Sequence, residues 1–327
     1  MQRDVIYSLS EDGERLPVID VTHPAFAVST SDAELKTMEQ EFLMEQQRQG
    51  EVPPAVREAL KRSIFGQALM KASGSFLPSM ITYRMKLGPD RLGADAQEID
   101  RRIAASFPVL TSRIRLQDMA RLLADGLAPR IAVQPRRPVY LLNIAGGPGA
   151  DSWNTLIHLR FQHPALLEGR EMVIAVLDLD DRGPAFGERA LAALQAPDGP
   201  LEGTRAGFRF IRYNWSESGQ LAQALSELHA EEAACAISSE GGLFEYGSDE
   251  EILANLAALR AGTAFDAIVV GSVTRDCEAV RSTQIRNCVA TRPRTIEGFQ
   301  SLADRAGWIV DQVIERLFSY NLRLLKR

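Results

Sequence analysis

The stretch VYLLNIAGGPGADSW, Val139 to Trp153, decides how the rest of the chain is read. VYLLNIA (Val139 to Ala145) is a short apolar run closed by a turn signal, the pattern of a buried strand. Gly146, Gly147 and Gly149 break it, and a helical spacing of apolar residues follows from about Asp151 to Phe161. A strand, a glycine turn and a helix in that order place backbone N–H groups toward an anion and let a ligand approach the main chain. Any tight strand-to-helix turn favours glycine, so the motif acquires meaning only from its neighbours.

Toward the C-terminus the same unit repeats. MVIAVLD (Met172 to Asp178), FRFIRY (Phe208 to Tyr213), ACAIS (Ala234 to Ser238) and FDAIVVG (Phe265 to Gly271) read as strands. Between them lie helical patterns at about Ala185 to Leu194, Gly219 to His229 and Asp249 to Arg260. Near-continuous apolar strands alternating with helices specify a parallel sheet covered on both faces. WIVDQVIERLFSYNLRLL, Trp308 to Leu325, holds two extended segments with no room for a crossover helix, so it reads as an antiparallel edge hairpin. The expected fold is α/β: a doubly wound, mostly parallel seven-stranded sheet with an antiparallel C-terminal hairpin.

Toward the N-terminus the pattern is helical. Ser31 to Glu34 is a capping box ahead of Leu35, Met38, Phe42 and Leu43. A second helix follows Pro53 and Pro54, carrying Val56, Leu60, Ile64 and Leu69 on one face. Helical spacing returns from about Asp95 to Phe107 and from Leu110 to Leu127. We therefore expect a helical segment over 1–136, serving as a lid or an oligomerisation layer for a possible homodimer, and a Rossmann-like domain over 137–327. The lid would bring Phe76, Tyr83 and Arg84 over the carboxyl edge of the sheet.

Composition narrows the function. The 327 residues carry a formal net charge of −6, and no basic stripe suits a phosphate backbone, so nucleic acid is not the expected partner. No apolar run approaches the ~18 residues of a membrane span, and the N-terminus lacks an apolar signal region. The expected compartment is the cytoplasm, with neither a membrane nor a nucleic acid as partner. The three cysteines, Cys235, Cys277 and Cys288, form no CxxC pair, and no His/Asp/Glu cluster has metal-ligand spacing, so no metal is expected.

Three features sharpen the glycine loop. VLDLDD puts Asp178, Asp180 and Asp181 at the end of the second strand, where a carboxylate can accept both hydroxyls of a ribose; Asp181 reads as a helix cap. The third strand ends in Asn214 and Trp215, an amide and an indole that could meet an adenine, though Trp215 also suits plain core. The loop lacks the Lys and Ser/Thr of a P-loop.

In these residues the sequence resembles the class I S-adenosylmethionine-dependent methyltransferases, over roughly residues 137 to 327. In that family an acid-x-G-x-G-x-G loop wraps the methionine part of the cofactor. The stretch from Asn143 to Gly149 matches with two departures, Asn143 for the acid and Ala145 for the first glycine. The resemblance implies S-adenosyl-L-methionine as cofactor, with Asn143, Ala145, Gly146, Gly147 and Gly149 around its amino-acid end. It places Asp178 or, two residues on, Asp180 on the ribose, with Leu179 between them and Asn214 and Trp215 near the adenine. TSRIRLQDMARLL (Thr111 to Leu123) resembles the arginine-bearing helix of leucine carboxyl methyltransferases and related small-molecule O-methyltransferases. That implies Arg113, with Arg115 as runner-up, on the cofactor's carboxylate. AISSEGGLFEYGSDEEIL (Ala236 to Leu253) resembles their Glu-Gly segment and adds Ser239 and Glu240. The implied reaction is methyl transfer to a small-molecule acceptor, an oxygen in a hydroxyl or carboxylate. A tetrapeptide of the Asn-Pro-Pro-Tyr type, expected for amino acceptors such as adenine or glutamine, is absent.

A hydroxyl or ammonium acceptor needs a general base, for which His23 and Tyr83 are the candidates; His158, His163 and His229 read as packed or surface residues. Two other readings stay open. A nicotinamide oxidoreductase would place a third glycine where Ser152 stands and an acid about 20 residues on, nearer than Asp178. A non-catalytic binder would keep the fold and lose turnover.

Overall fold

The computed structural model describes residues 3–48, 53–72, 76–281 and 290–327; Cys288 lies outside them. Its centre is a seven-stranded sheet built from β3 (Val139–Ile144), β4 (Glu171–Asp178), β5 (Arg205–Arg212), β6 (Ala234–Ser239), β7 (Ile268–Thr274), β8 (Trp308–Glu315) and β9 (Ser319–Lys326). The order is β5-β4-β3-β6-β7-β9-β8. The β3–β7 strands are parallel, and β8 and β9 form an antiparallel hairpin on β7, as the resemblance implies. Each residue of β6 and β7 is buried, whereas the edge strands β5 and β8 alternate toward solvent.

Helices cover both faces. On one, α7 (Ala150–Gln162) and α8 (Arg182–Gln195) bury Trp153, Leu156, Phe186 and Leu194 against Ile174 and Val176. On the other, α9 (Ser218–Glu227), α11 (Asp249–Gly262) and α12 (Ile296–Arg305) bury Leu221, Leu256 and Phe299 against Leu142 and Ile237. Between β6 and α11 stands the single turn α10 (Leu243–Tyr246).

The segment ahead of β3 is more deeply joined to the sheet than its helical pattern suggests. It contains a small hairpin, β1 (Tyr7–Leu9) with β2 (Arg15–Pro17), that the sequence reading did not include. Its helices are α1 (Asp32–Arg48), α2 (Pro54–Arg62), α3 (Ile64–Lys71), α4 (Ser79–Lys86), α5 (Glu98–Ala105) and α6 (Phe107–Ala132). The expected single helix after Pro54 breaks at Ser63, which caps α3 by accepting from the Gly66 N–H at 2.9 Å. The capping box at α1 forms in both directions between Ser31 and Glu34. The α6 helix runs 26 residues, packs along α7 and lies across β6, β7 and β9, so it is itself part of the sheet's covering layer. Residues 17–21 are stitched to two helices. The Tyr83 hydroxyl accepts from Ile19 N and donates to Pro17 O, and Asn154 accepts from Val21 N at 2.8 Å. Leu16, Phe26, Phe65 and Tyr83 share one buried cluster with Leu141 and Ile174.

Candidate functional site

The strand order reverses between β3 and β6. Ligands in open α/β sheets bind outside the carboxyl ends of the strands at such a point. Here the ends of β3, β4 and β6 open into a crevice of about 510 Å³, within the range for small-ligand sites, roofed by the N-terminal part of α4 and the residues before it.

The floor is the glycine loop. Asn143 is fully buried beneath it, and its amide nitrogen donates to the Asp151 carboxylate at the start of α7. A Cβ on Gly146 would fall 1.5 Å from the Asn143 side-chain oxygen, so this glycine makes room for the asparagine under it. Ala145 has φ of 57°, a left-handed conformation that glycine adopts freely and alanine does not. Gly147 has φ of 56°, and a Cβ there would meet Ser79 of α4 at 2.7 Å. Ser79 also abuts Gly183 of α8, so α4 is seated directly on the loop.

At one end of the crevice stands Asp178. Its carboxylate accepts from Gly147 N and Asp180 N, both at 3.0 Å. Burial pushes its pKa up, and those two N–H donors partly offset the rise. Leu179, 54% exposed, and Trp215 line the same end. Phe76 packs edge-on against Trp215 and Tyr246 there.

At the other end is a buried ionic network. Glu240, at the end of β6, is bonded to Lys86 of α4 and to Arg115 of α6. Arg115 also binds Glu245 at 2.8 Å, and Glu245 accepts from Ser272. Burial alone would raise the Glu240 carboxyl, but Lys86 and Arg115 outweigh it and hold the group down to about 2. Burial likewise opposes the charge on Arg115, and Glu245 with Glu240 reverses the balance upward. Lys86, Arg115 and Glu240 thus present both signs of charge to a cleft whose floor is glycine backbone, with Glu245 buried behind Arg115.

Of the residues singled out from the sequence, the crevice is lined by Tyr83, Ala145, Gly146, Gly147, Asp178, Leu179, Asp180, Trp215 and Glu240. Others stand behind it. Asn143 lies under the loop, Gly149 packs its backbone against Val176, and Ser239 accepts from Leu243 N to cap α10. Asn214 accepts from Ser216 N in a local turn. Arg113 turns away toward Gly88 and Phe26 O, so Arg115 is the arginine that reaches the crevice. His23 lies in a separate place, its ring nitrogens bonded to Arg3 O and Ala25 N. The Tyr83 hydroxyl, with both of its bonds to residues 17–19, is buried, and that burial raises its pKa far above the phenol range, so it is not placed to act as a base. Lys86 and Ser79 were missed: each is a single residue in an unremarkable helical pattern, and only the fold brings it to the loop. Among the described residues one trio has ligand atoms close enough for a metal, the exposed His229, Glu231 and Glu232, within 4.8 Å, and it lines no part of the crevice. No described helix is long and apolar enough to cross a membrane.

No family model matches the chain, and no curated protein matches it. Among solved structures it is similar to LepI in complex with SAM, at 14% identity and a TM-score of 0.45 over 91% of this chain and 95% of that one. It is also similar to the mitomycin 7-O-methyltransferase MmcR, at 11% identity and a TM-score of 0.43 over 87% and 75%. The likeness to a possible exported protein from Bordetella parapertussis is stronger, with a TM-score of 0.58 and 17% identity over 91% of this chain and 97% of that one. The chain shares a doubly wound α/β fold with that protein along nearly the whole length of both.

Proposed function

We propose that the crevice binds S-adenosyl-L-methionine and that the protein transfers its methyl group to an oxygen of a small-molecule acceptor. The observation that carries this reading is the polarity of the crevice along its length. A nucleoside end would meet Asp178, Leu179 and Trp215, and an amino-acid end would meet Lys86, Glu240 and Arg115. A ligand with a ribose at one end and both an ammonium and a carboxylate at the other is complementary to that arrangement. Glu240 would take the ammonium, and Arg115 and Lys86 the carboxylate. The bound donor supplies an electrophilic methyl on a sulfonium, so the chain's work is to orient the partners and exclude water, which can supply roughly 7–11 kcal/mol.

The same geometry argues against a nicotinamide dinucleotide. Its pyrophosphate needs the N–H groups of the glycine turn, and here Gly147 N already donates to the Asp178 carboxylate. A second negative charge at that spot would be repelled.

Calorimetry with S-adenosylhomocysteine and with NADH tests the reading. S-adenosylhomocysteine should bind, NADH should not, and Asp178→Ala should weaken S-adenosylhomocysteine tenfold or more, since hydrogen bonds to a charged group contribute about 1.5–3 kcal/mol each. NADH binding instead would overturn the assignment. A labelled-methyl turnover assay against hydroxyl and carboxylate acceptors then separates an enzyme from a binder without turnover.

A further inference from the structure

A second cleft, about 490 Å³, lies on the other side of the α4 entry. The two clefts share Phe76, Pro78, Asp180 and Arg182 as a common wall. At the seam, the Ser79 hydroxyl donates to Asp180 at 2.9 Å. We infer that this cleft is the acceptor site and that it takes an apolar molecule bearing an anionic group. The inference rests on the donor reading above for its chemistry, and on the following observations for the ligand class.

The inner wall is apolar: Leu16, Ala68, Ile64, Met80 and Ile81, the first two buried and the rest half-buried. Among the described residues that line it, no buried polar side chain faces this wall to read a hydroxylated or sugar-like ligand. The charges stand at the rim, and most of them are already paired. Arg84 binds Glu14 and Asp95, Arg182 binds Glu11, and Asp180 is bonded to Ser79 and to Arg182 N. Two rim cations, Arg62 and Lys71, make no ion pair among the described residues. Glu58, the acid nearest Arg62 along α2, is bonded to Lys61. Two rim acids likewise make no ion pair among the described residues: Asp12, and Asp180, whose carboxylate accepts from the Ser79 hydroxyl and Arg182 N at the wall shared with the first crevice. An apolar body would fill the inner wall, and an anionic group would answer Arg62 and Lys71 at the mouth. The opposite end of such a molecule would then point at the wall shared with the donor crevice.

The probes are 1-hydroxy-2-naphthoate and its cationic counterpart 2-naphthylmethylammonium, titrated by calorimetry into the full chain with and without saturating S-adenosylhomocysteine. The naphthoate should bind, with an affinity that S-adenosylhomocysteine leaves in place or improves, and the ammonium should bind at least about tenfold more weakly. The Arg62→Glu, Lys71→Glu double variant changes two exposed side chains, so its fold is safe. It should weaken the naphthoate by about tenfold, the effect of losing two exposed charge interactions, and leave S-adenosylhomocysteine unchanged. Ala68→Trp, or Gln67→Trp at the rim if the buried change does not fold, should block the naphthoate alone. Displacement of the naphthoate by S-adenosylhomocysteine would overturn the inference, as would equal binding of the two probes or indifference to these variants. If S-adenosylhomocysteine itself fails to bind, the donor reading falls, and the naphthoate titrations still decide the ligand class of this cleft.

Discussion

Replacing Asp151 by asparagine should stabilise the protein, and more so as pH rises. Asp151 is 2% exposed, at the first turn of α7 directly beneath the glycine loop. One carboxylate oxygen accepts from the Asn143 amide and from Ser152 N; the other meets no hydrogen-bond geometry with a described residue, the Ser238 hydroxyl lying nearby. The Asn143 oxygen is buried without a partner among the described residues as well. Burial, followed by the charge of Glu240, raises the Asp151 carboxyl from 3.8 to about 6, and the nearby Ser238 hydroxyl offsets this only in part. An acid raised on folding gives stability below its unfolded pKa, near 4, and loses it as pH rises through about 6. Two pKa units correspond to about 3 kcal/mol, so at pH 8 the ionised carboxylate destabilises the fold by up to roughly that amount. Asparagine keeps an acceptor oxygen for Asn143 and Ser152 N and removes the buried charge. Urea denaturation of Asp151→Asn and wild type at pH 4.5 and pH 8 checks this. The variant should be more stable by about 1–3 kcal/mol at pH 8 and by only about a third of that gain at pH 4.5, where the carboxyl is still mostly protonated in the fold. A gain of the same size at both values, or a loss at pH 8, would refute the argument that the charge is the source of the penalty.

The two arginines of α6 should behave differently. Arg115→Met leaves Glu240 and Glu245 short of their buried partner and should cost about 3–5 kcal/mol in urea denaturation. Arg113→Met removes only a 3.4 Å contact to Phe26 O, so a loss below about 1 kcal/mol and unaltered S-adenosylhomocysteine binding are expected; the reverse order would exchange their roles. Ala145→Gly relieves a left-handed φ that costs alanine about 1–2 kcal/mol, against about 0.5–1 kcal/mol of added chain entropy in the unfolded state. The melting temperature should therefore hold or rise by a few degrees, and a clear fall would mean that the methyl group's contacts in the crevice outweigh the strain.

The sheet was legible because buried parallel strands write themselves as apolar runs, and the antiparallel end because β8 and β9 leave no length for a crossover. Boundaries moved where turns intervened: Ala267 N bonds to Ala264 O, so β7 starts at Ile268, three residues beyond the apolar run at Phe265. The β1–β2 hairpin escaped notice because two three-residue strands carry no periodicity. Within the crevice, Asp178 and Glu240 could be found because they close strands, a position the chain order reveals. Arg113 and Arg115 could not be told apart, since two residues on one helix point about 200° apart and only the helix's rotation against β6 decides which one faces the loop. Lys86 and Ser79 belong to the same class, set by how α4 lands on the loop.

The seat of Ser79 couples three positions that are far apart in the chain. A Cβ at Gly147 would fall 2.7 Å from the Ser79 Cβ, and one at Gly183 would fall 2.6 Å from the Ser79 hydroxyl and 2.8 Å from the Gly147 backbone, so neither glycine can acquire a side chain while the other two positions hold their places. Mutational drift at any one of the three is therefore confined by the other two. A bulkier residue at 79 has no glycine left to displace, and an alanine at 147 or 183 pushes the start of α4 off the loop. Lineages descended from this sequence should vary these sites as a set, so the glycines of the loop record the history of the segment that covers it as well as that of the ligand.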